Sequence, residues 1–118
     1  MTSEELKRRT KEMSLSVIRL VTSLPRSREV DIFSRQVIRS ATSVAANYRA
    51  ACKARSRADF INKIGIVEEE ADETALWIEY LLELNIVAKD KGETPLKEVY
   101  ELVAIFAASA KTAKQNRK

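Results

Sequence analysis

The chain has 118 residues, enough for one domain with a real core and too few for two. It is 45% hydrophobic and 32% charged with a net charge of +4, which excludes a disordered polyelectrolyte. Only two glycines and two prolines are present, so turns must be rare and long helices are expected.

Thr2 and Glu5 have capping-box spacing and open a first helix over 3–24. Leu6, Met13, Val17, Leu20 and Leu24 recur along it at steps of three, four or seven, tracing one face. Pro25 ends it. A second helix is expected over 31–54, with Val30, Phe33, Val37, Ala41, Val44, Tyr48 and Ala51 on its core face. Arg35, Arg39, Thr42, Ala46, Arg49 and Lys53 fall opposite, in a band about 80° wide, with Gln36, Ser40, Ser43 and Asn47 on a flank.

Ser56 and Asp59 mark the start of a third helix over 57–87. Phe60, Ile64, Val67, Ala71, Thr74, Ile78, Leu81 and Asn85 give it a heptad-like seam suited to nearly antiparallel packing. Lys89–Glu93 reads as a loop, after which Thr94 caps and Pro95 occupies the first position of a fourth helix over 95–114. That helix buries Leu96, Val99, Leu102, Val103, Phe106, Ala110 and Ala113, and the polar tail from Lys114 to Lys118 is expected to fray. The fold expected is all-α: a single antiparallel up-down four-helix bundle over 1–118.

The third helix has a second apolar strip, Ile66, Trp77, Tyr80 and Leu84, well around the cylinder from its seam. One bundle satisfies only one of the two sides. The strip is therefore expected to form an oligomer interface.

Charge is distributed in blocks. Residues 26–57 carry eight basic and two acidic groups, and residues 58–86 carry one basic and eight acidic. The two helices either neutralise each other or leave a basic face for an anionic partner. Arg35, Arg39, Arg49 and Lys53 repeat over about 27 Å at 1.5 Å per residue, and Arg55 and Arg57 carry the charge into the turn. Such a stripe suits phosphate contacts, with no aromatic side chains interleaved for stacking on bases. These six residues are the candidate nucleic-acid-binding set.

Catalysis has little to work with. The chain has no histidine, the usual base for a Ser or Cys nucleophile and a regular ligand in di-metal bundles. Glu68, Glu69, Glu70, Asp72 and Glu73 spread around the third helix instead of converging on its seam. Cys52 is expected beside the core face as a small hydrophobe, and being alone it excludes an internal disulfide. No enzyme, metal or cofactor is expected. Charged residues from Glu4 to Glu12 break up the amino-terminal stretch, and no apolar run approaches a membrane span. A cytoplasmic protein with no membrane partner is the expectation.

The runs Ser43-Val44-Ala45-Ala46-Asn47-Tyr48-Arg49 and Arg55-Ser56-Arg57-Ala58-Asp59-Phe60 carry a family resemblance. Gly65-Ile66-Val67-Glu68-Glu69, Gln36, Arg39 and Glu69-x-x-Asp72-Glu73-Thr74 leading to Trp77 extend it. Over nearly its whole length the chain resembles the bacterial bundle proteins encoded in intervening sequences of large-subunit ribosomal RNA genes, the ribosomal protein S23-like family. The resemblance implies a ring-shaped homopentamer, with ribosomal or retroelement RNA as partner. Through related accessory proteins of diversity-generating retroelements it also implies a reverse transcriptase as partner. It makes Ser43, Asn47, Ser56, Asp59 and Phe60 a family motif read as structural, with Asn47 bonding inside the bundle or across the interface. One departure stands out: Ala50 occupies the position where the family usually carries a Glu.

Overall fold

Side-chain oxygens start three of the four helices in the computed structural model, which describes residues 1–116. Thr2 accepts the Glu5 N–H and opens α1, Ser3–Thr22. Ser27 accepts the Val30 N–H and opens α2, Arg28–Cys52, one turn earlier than Asp31 suggests, because Ser27 supplies the oxygen that a bare N-terminus lacks. Ser56 does the same for the Asp59 N–H at the head of α3, Arg57–Glu83. The fourth helix, α4, spans Lys89–Gln115 and begins at Ala88 with no side-chain cap.

The first two helices also end two residues short of the sequence reading, at Thr22 and Cys52, but the two largest departures lie at the α3–α4 corner. The third helix stops at Glu83 because Asn85 adopts a left-handed conformation, φ 59°. Ile86 N–H then donates to the Leu81 carbonyl at 2.9 Å and Asn85 N–H to the Leu82 carbonyl at 3.0 Å. This is the paired closure of a Schellman motif, with Asn in the place usually taken by Gly. Asn85 is accordingly exposed and does not continue the core seam.

Lys89–Glu93 is helical, not a loop, and Pro95 lies inside α4. Lys91 and Gly92 N–H groups donate to the Ala88 carbonyl at 3.0 Å, which closes the new first turn. Burial fixes that turn in place. Val87 is sealed in the core, and Gly92 lies so close to Leu82 and Val87 that a Cβ on it would sit 2.5 Å from Leu82 Cδ2. Tertiary contact thus overrides a Gly-and-Pro pattern that by itself reads as a break. At the other end α4 continues to Gln115, past the expected start of fraying, and the last two residues of the tail, Arg117 and Lys118, lie outside the described residues.

Each helix packs on its neighbours in chain order, and α4 also packs on α1. Neighbours run in opposite directions. Along the α2–α3 seam Ser40 meets Thr74 while Phe33 meets Trp77 and Tyr80, so one number falls as the other rises. Val17, Val37, Val44, Ile64, Val67, Ile78, Leu81, Val99, Leu102 and Phe106 are fully sealed at the centre of a rod 51 × 20 × 20 Å. Thr10, Ser40 and Thr74 are equally sealed, and their hydroxyls stay satisfied. Thr10 donates to the Leu6 carbonyl at 2.9 Å, and the Thr74 hydroxyl lies 2.8 Å from both Ser40 Oγ and the Glu70 carbonyl. No described helix is long and apolar enough to cross a membrane.

Candidate nucleic-acid interface

The band opposite the core face of α2 is exposed along its whole length: Arg35, Arg39, Thr42, Ala46, Arg49 and Lys53 all face water. Burying Val37, Ala41, Val44 and Tyr48 leaves them no other direction. Arg55 and Arg57 are also exposed, in the corner between α2 and α3.

These cations are not equivalent. Arg39 leans across to α3, where its guanidinium pairs with Glu70 at 3.0 Å and with Glu73. Among the described residues, the side chains of Arg35, Arg49, Lys53, Arg55 and Arg57 have no carboxylate within 4.0 Å. The acidic helix therefore neutralises the middle of the stripe and leaves its two ends uncompensated.

The carboxyl-terminal end of the stripe continues onto α1. Arg49 and Lys53 share a surface cleft of about 480 Å³ with Glu4, Lys7, Arg8 and Lys11. The sequence reading missed the three α1 cations as part of this surface. Their signal was present, since Lys7 and Lys11 are one turn apart, but their meeting with α2 depends on how the first two helices pack. At the amino-terminal end, Arg26, Arg35 and Arg39 border a second groove between the same helices, about 550 Å³, floored by Val21, Leu24, Val30 and Ile38.

The family-motif residues are structural in their contacts. Asn47 Nδ2 donates to Ser43 Oγ at 2.8 Å and to the Ser43 carbonyl at 2.9 Å, a bond inside its own helix. Asp59 is held by Lys63 Nζ at 2.6 Å and by the Arg55 N–H at 3.2 Å, and these two donors keep its carboxyl below the usual range. Phe60 packs half-buried against the core, beside Ile105 and Ser109 of α4. Ala50 is half-buried, and its carbonyl accepts the Lys53 N–H at 3.1 Å. Cys52 departs from expectation: it is exposed, because Ala51 takes the last core position before α2 ends.

On α3, Tyr80 and Leu84 are 44% and 54% exposed, and Ile66 is 37% exposed. Trp77 is different. It is half-buried against Phe33 of α2, ring centroids 6.0 Å apart, with Tyr80 5.7 Å from both rings. Glu70 and Glu73 lie between Ile66 and Trp77 on the same face, at steps of four, three and four, so the apolar strip is interrupted by the Arg39 ion pairs. Leu76, absent from the sequence-derived strip, is 44% exposed and borders Glu69, Asp72, Glu73 and Glu79. Glu79 accepts a hydrogen bond from Tyr100 of α4, which pushes that phenol up to about 12.

No functionally curated protein matches the chain. A crystal structure of a protein of unknown function from the S23 ribosomal protein family of Bacteroides thetaiotaomicron superposes with a TM-score of 0.85 at 32% identity, covering 94% of this chain and 99% of that one. The family model described as 23S rRNA-intervening sequence protein matches residues 3–108. With the fold, the motif contacts and these two likenesses in agreement, the chain belongs to the 23S rRNA-intervening sequence protein family.

Proposed function

We propose that this protein is a non-enzymatic oligomeric bundle that binds structured RNA, or an RNA–DNA intermediate, through the basic face of α2. The observation that carries the reading is the uncompensated run Arg49, Lys53, Arg55 and Arg57, exposed on α2 and the corner after it. Guanidinium forks and ammonium groups facing water suit phosphate oxygens, and with no aromatic beside them recognition is by backbone and shape. Arg39 belongs to the scaffold in this reading, because Glu70 and Glu73 already hold its charge. Membership of a family named for ribosomal RNA supports ribosomal RNA as the partner class.

The working form is a cytoplasmic homo-oligomer, a pentameric ring in keeping with the family resemblance. Exposed Tyr80 and Leu84 on α3 supply its contact surface. A ring repeats the basic face around its axis and raises affinity for a polyanion beyond that of one copy. Gel shift with ribosomal RNA fragments, run across salt concentration, tests the reading; retarded bands that vanish as salt rises are expected. A second reading rests on the same apolar patch: a structural or protein-interaction oligomer, such as a reverse-transcriptase accessory, with no nucleic-acid affinity of its own. An oligomer that shifts no RNA at any salt selects that reading.

A further inference from the structure

We infer that the phosphate-binding centre of the protein is the cleft between α1 and α2, where Lys7, Arg8 and Lys11 of α1 converge with Arg49 and Lys53 of α2. The inference rests on the RNA-binding reading and sharpens it: the stripe does not act as a whole, and three of the five cleft cations come from a helix outside it. Five cations and one carboxylate, Glu4, line the cleft. Glu4 pairs with Lys7 at 3.1 Å, and Arg8 reaches Glu12 only at 4.0 Å, with both partners more than 60% exposed. Among the described residues Lys11, Arg49 and Lys53 have no ion pair.

Folding accounts for only part of this arrangement: Arg49 and Lys53 lie at the carboxyl end of α2, where the helix dipole favours cations, but the α1 cations have no such support. Lys7 with Lys11, and Arg49 with Lys53, are like-charge pairs one turn apart, which repel each other along their own helix. The contrast with Arg9 is instructive. On the same turn as Lys7 and Arg8, Arg9 faces α4, where Glu98 accepts from its Nε at 3.0 Å and Glu101 stands 3.4 Å away. Arg9 and Arg39 are the cations the bundle uses for itself, and each has two carboxylates. The cleft cations have none to spare, so an external anion is what completes them. A phosphodiester backbone fits: successive charges on each helix rise by about 6 Å, and no aromatic side chain lines the cleft for base stacking.

The test is fluorescence anisotropy with a labelled 20-base-pair RNA stem-loop, across a salt series. It compares the wild-type chain with Lys11→Gln/Lys53→Gln and with Lys97→Gln/Lys111→Gln, a pair of exposed lysines on α4, each checked for an unchanged helical melt. The cleft variant is expected to bind about tenfold more weakly at low salt and to lower the slope of log affinity against log salt by about two, while the Lys97/Lys111 variant matches wild type. If the wild type binds and the cleft variant keeps its affinity and slope, the cleft is overturned while RNA binding stands. If the wild type itself does not bind at low salt, the RNA reading fails and the cleft fails with it.

Discussion

Arg39 of α2 holds Glu70 of α3 at 3.0 Å and, with the other arm of the same guanidinium, Glu73 one turn on. That clamp divides the basic stripe into a neutralised middle and two charged ends. It also places a polar lock in the middle of the apolar strip of α3, between Ile66 and Trp77.

Replacing Arg39 by Ala is therefore expected to act on the fold and not on RNA. Arg39 is about half exposed, so solvent screens the pair, and the loss should be at most about 1 kcal/mol in urea unfolding. RNA affinity should stay within twofold of wild type. A tenfold loss of affinity with unchanged stability would mean that Arg39 leaves its carboxylates to meet phosphate.

At the α3–α4 corner, Asn85 holds φ 59° and supports the two backbone bonds that end α3. Asn85→Gly should be neutral or stabilising by a few tenths of a kcal/mol, since Gly adopts this region without strain. Asn85→Val should cost about 1–2 kcal/mol, because a β-branched side chain is strained there. Chemical denaturation of the two variants checks both signs.

Asp59 provides a pH signature. Its folded carboxyl titrates below its ordinary value of about 3.9, held by Lys63 and the Arg55 N–H, so its stabilising effect is complete above that value. The effect is lost as pH falls through the lower folded value. Asp59→Asn should consequently lower the melting temperature at pH 7, and the gap from wild type should close below about pH 4. A gap that stays constant down to pH 2 would remove the electrostatic explanation of this corner.

For assembly, Tyr80→Glu with Leu84→Glu places two charges on the most exposed part of the α3 strip. Light scattering should report a multiple of the chain mass for wild type and the monomer mass for the variant, with unchanged helical circular dichroism. Trp77 is the wrong residue for this purpose. It is wedged against Phe33, so a charge there tests the fold as much as the interface.

Most of the architecture is legible in the sequence because each helix has one periodic apolar face and three of the four have a capping Ser or Thr. Val37, Val44, Ile64, Val67, Leu102 and Phe106 all stand where periodicity puts them. The misreadings cluster at the α3–α4 corner. There Gly92 and Pro95 look like breakers, and what overrides them is burial against Leu82 and Val87, a contact invisible in a one-dimensional pattern. The candidate site is half legible for the same reason. Helical spacing identifies Arg35, Arg49 and Lys53 as one exposed band, but which cations find carboxylates is decided between helices. Arg39 meets Glu70 and Glu73, while Lys11 meets a helix that is itself basic.

The measurement that tests the account most directly is the salt dependence of wild-type binding to a ribosomal RNA fragment. With four or more cations meeting phosphates, log affinity against log salt should fall with a slope of about −3 or steeper. Absence of binding at low salt, or an affinity that does not change with salt, would contradict a phosphate-reading bundle.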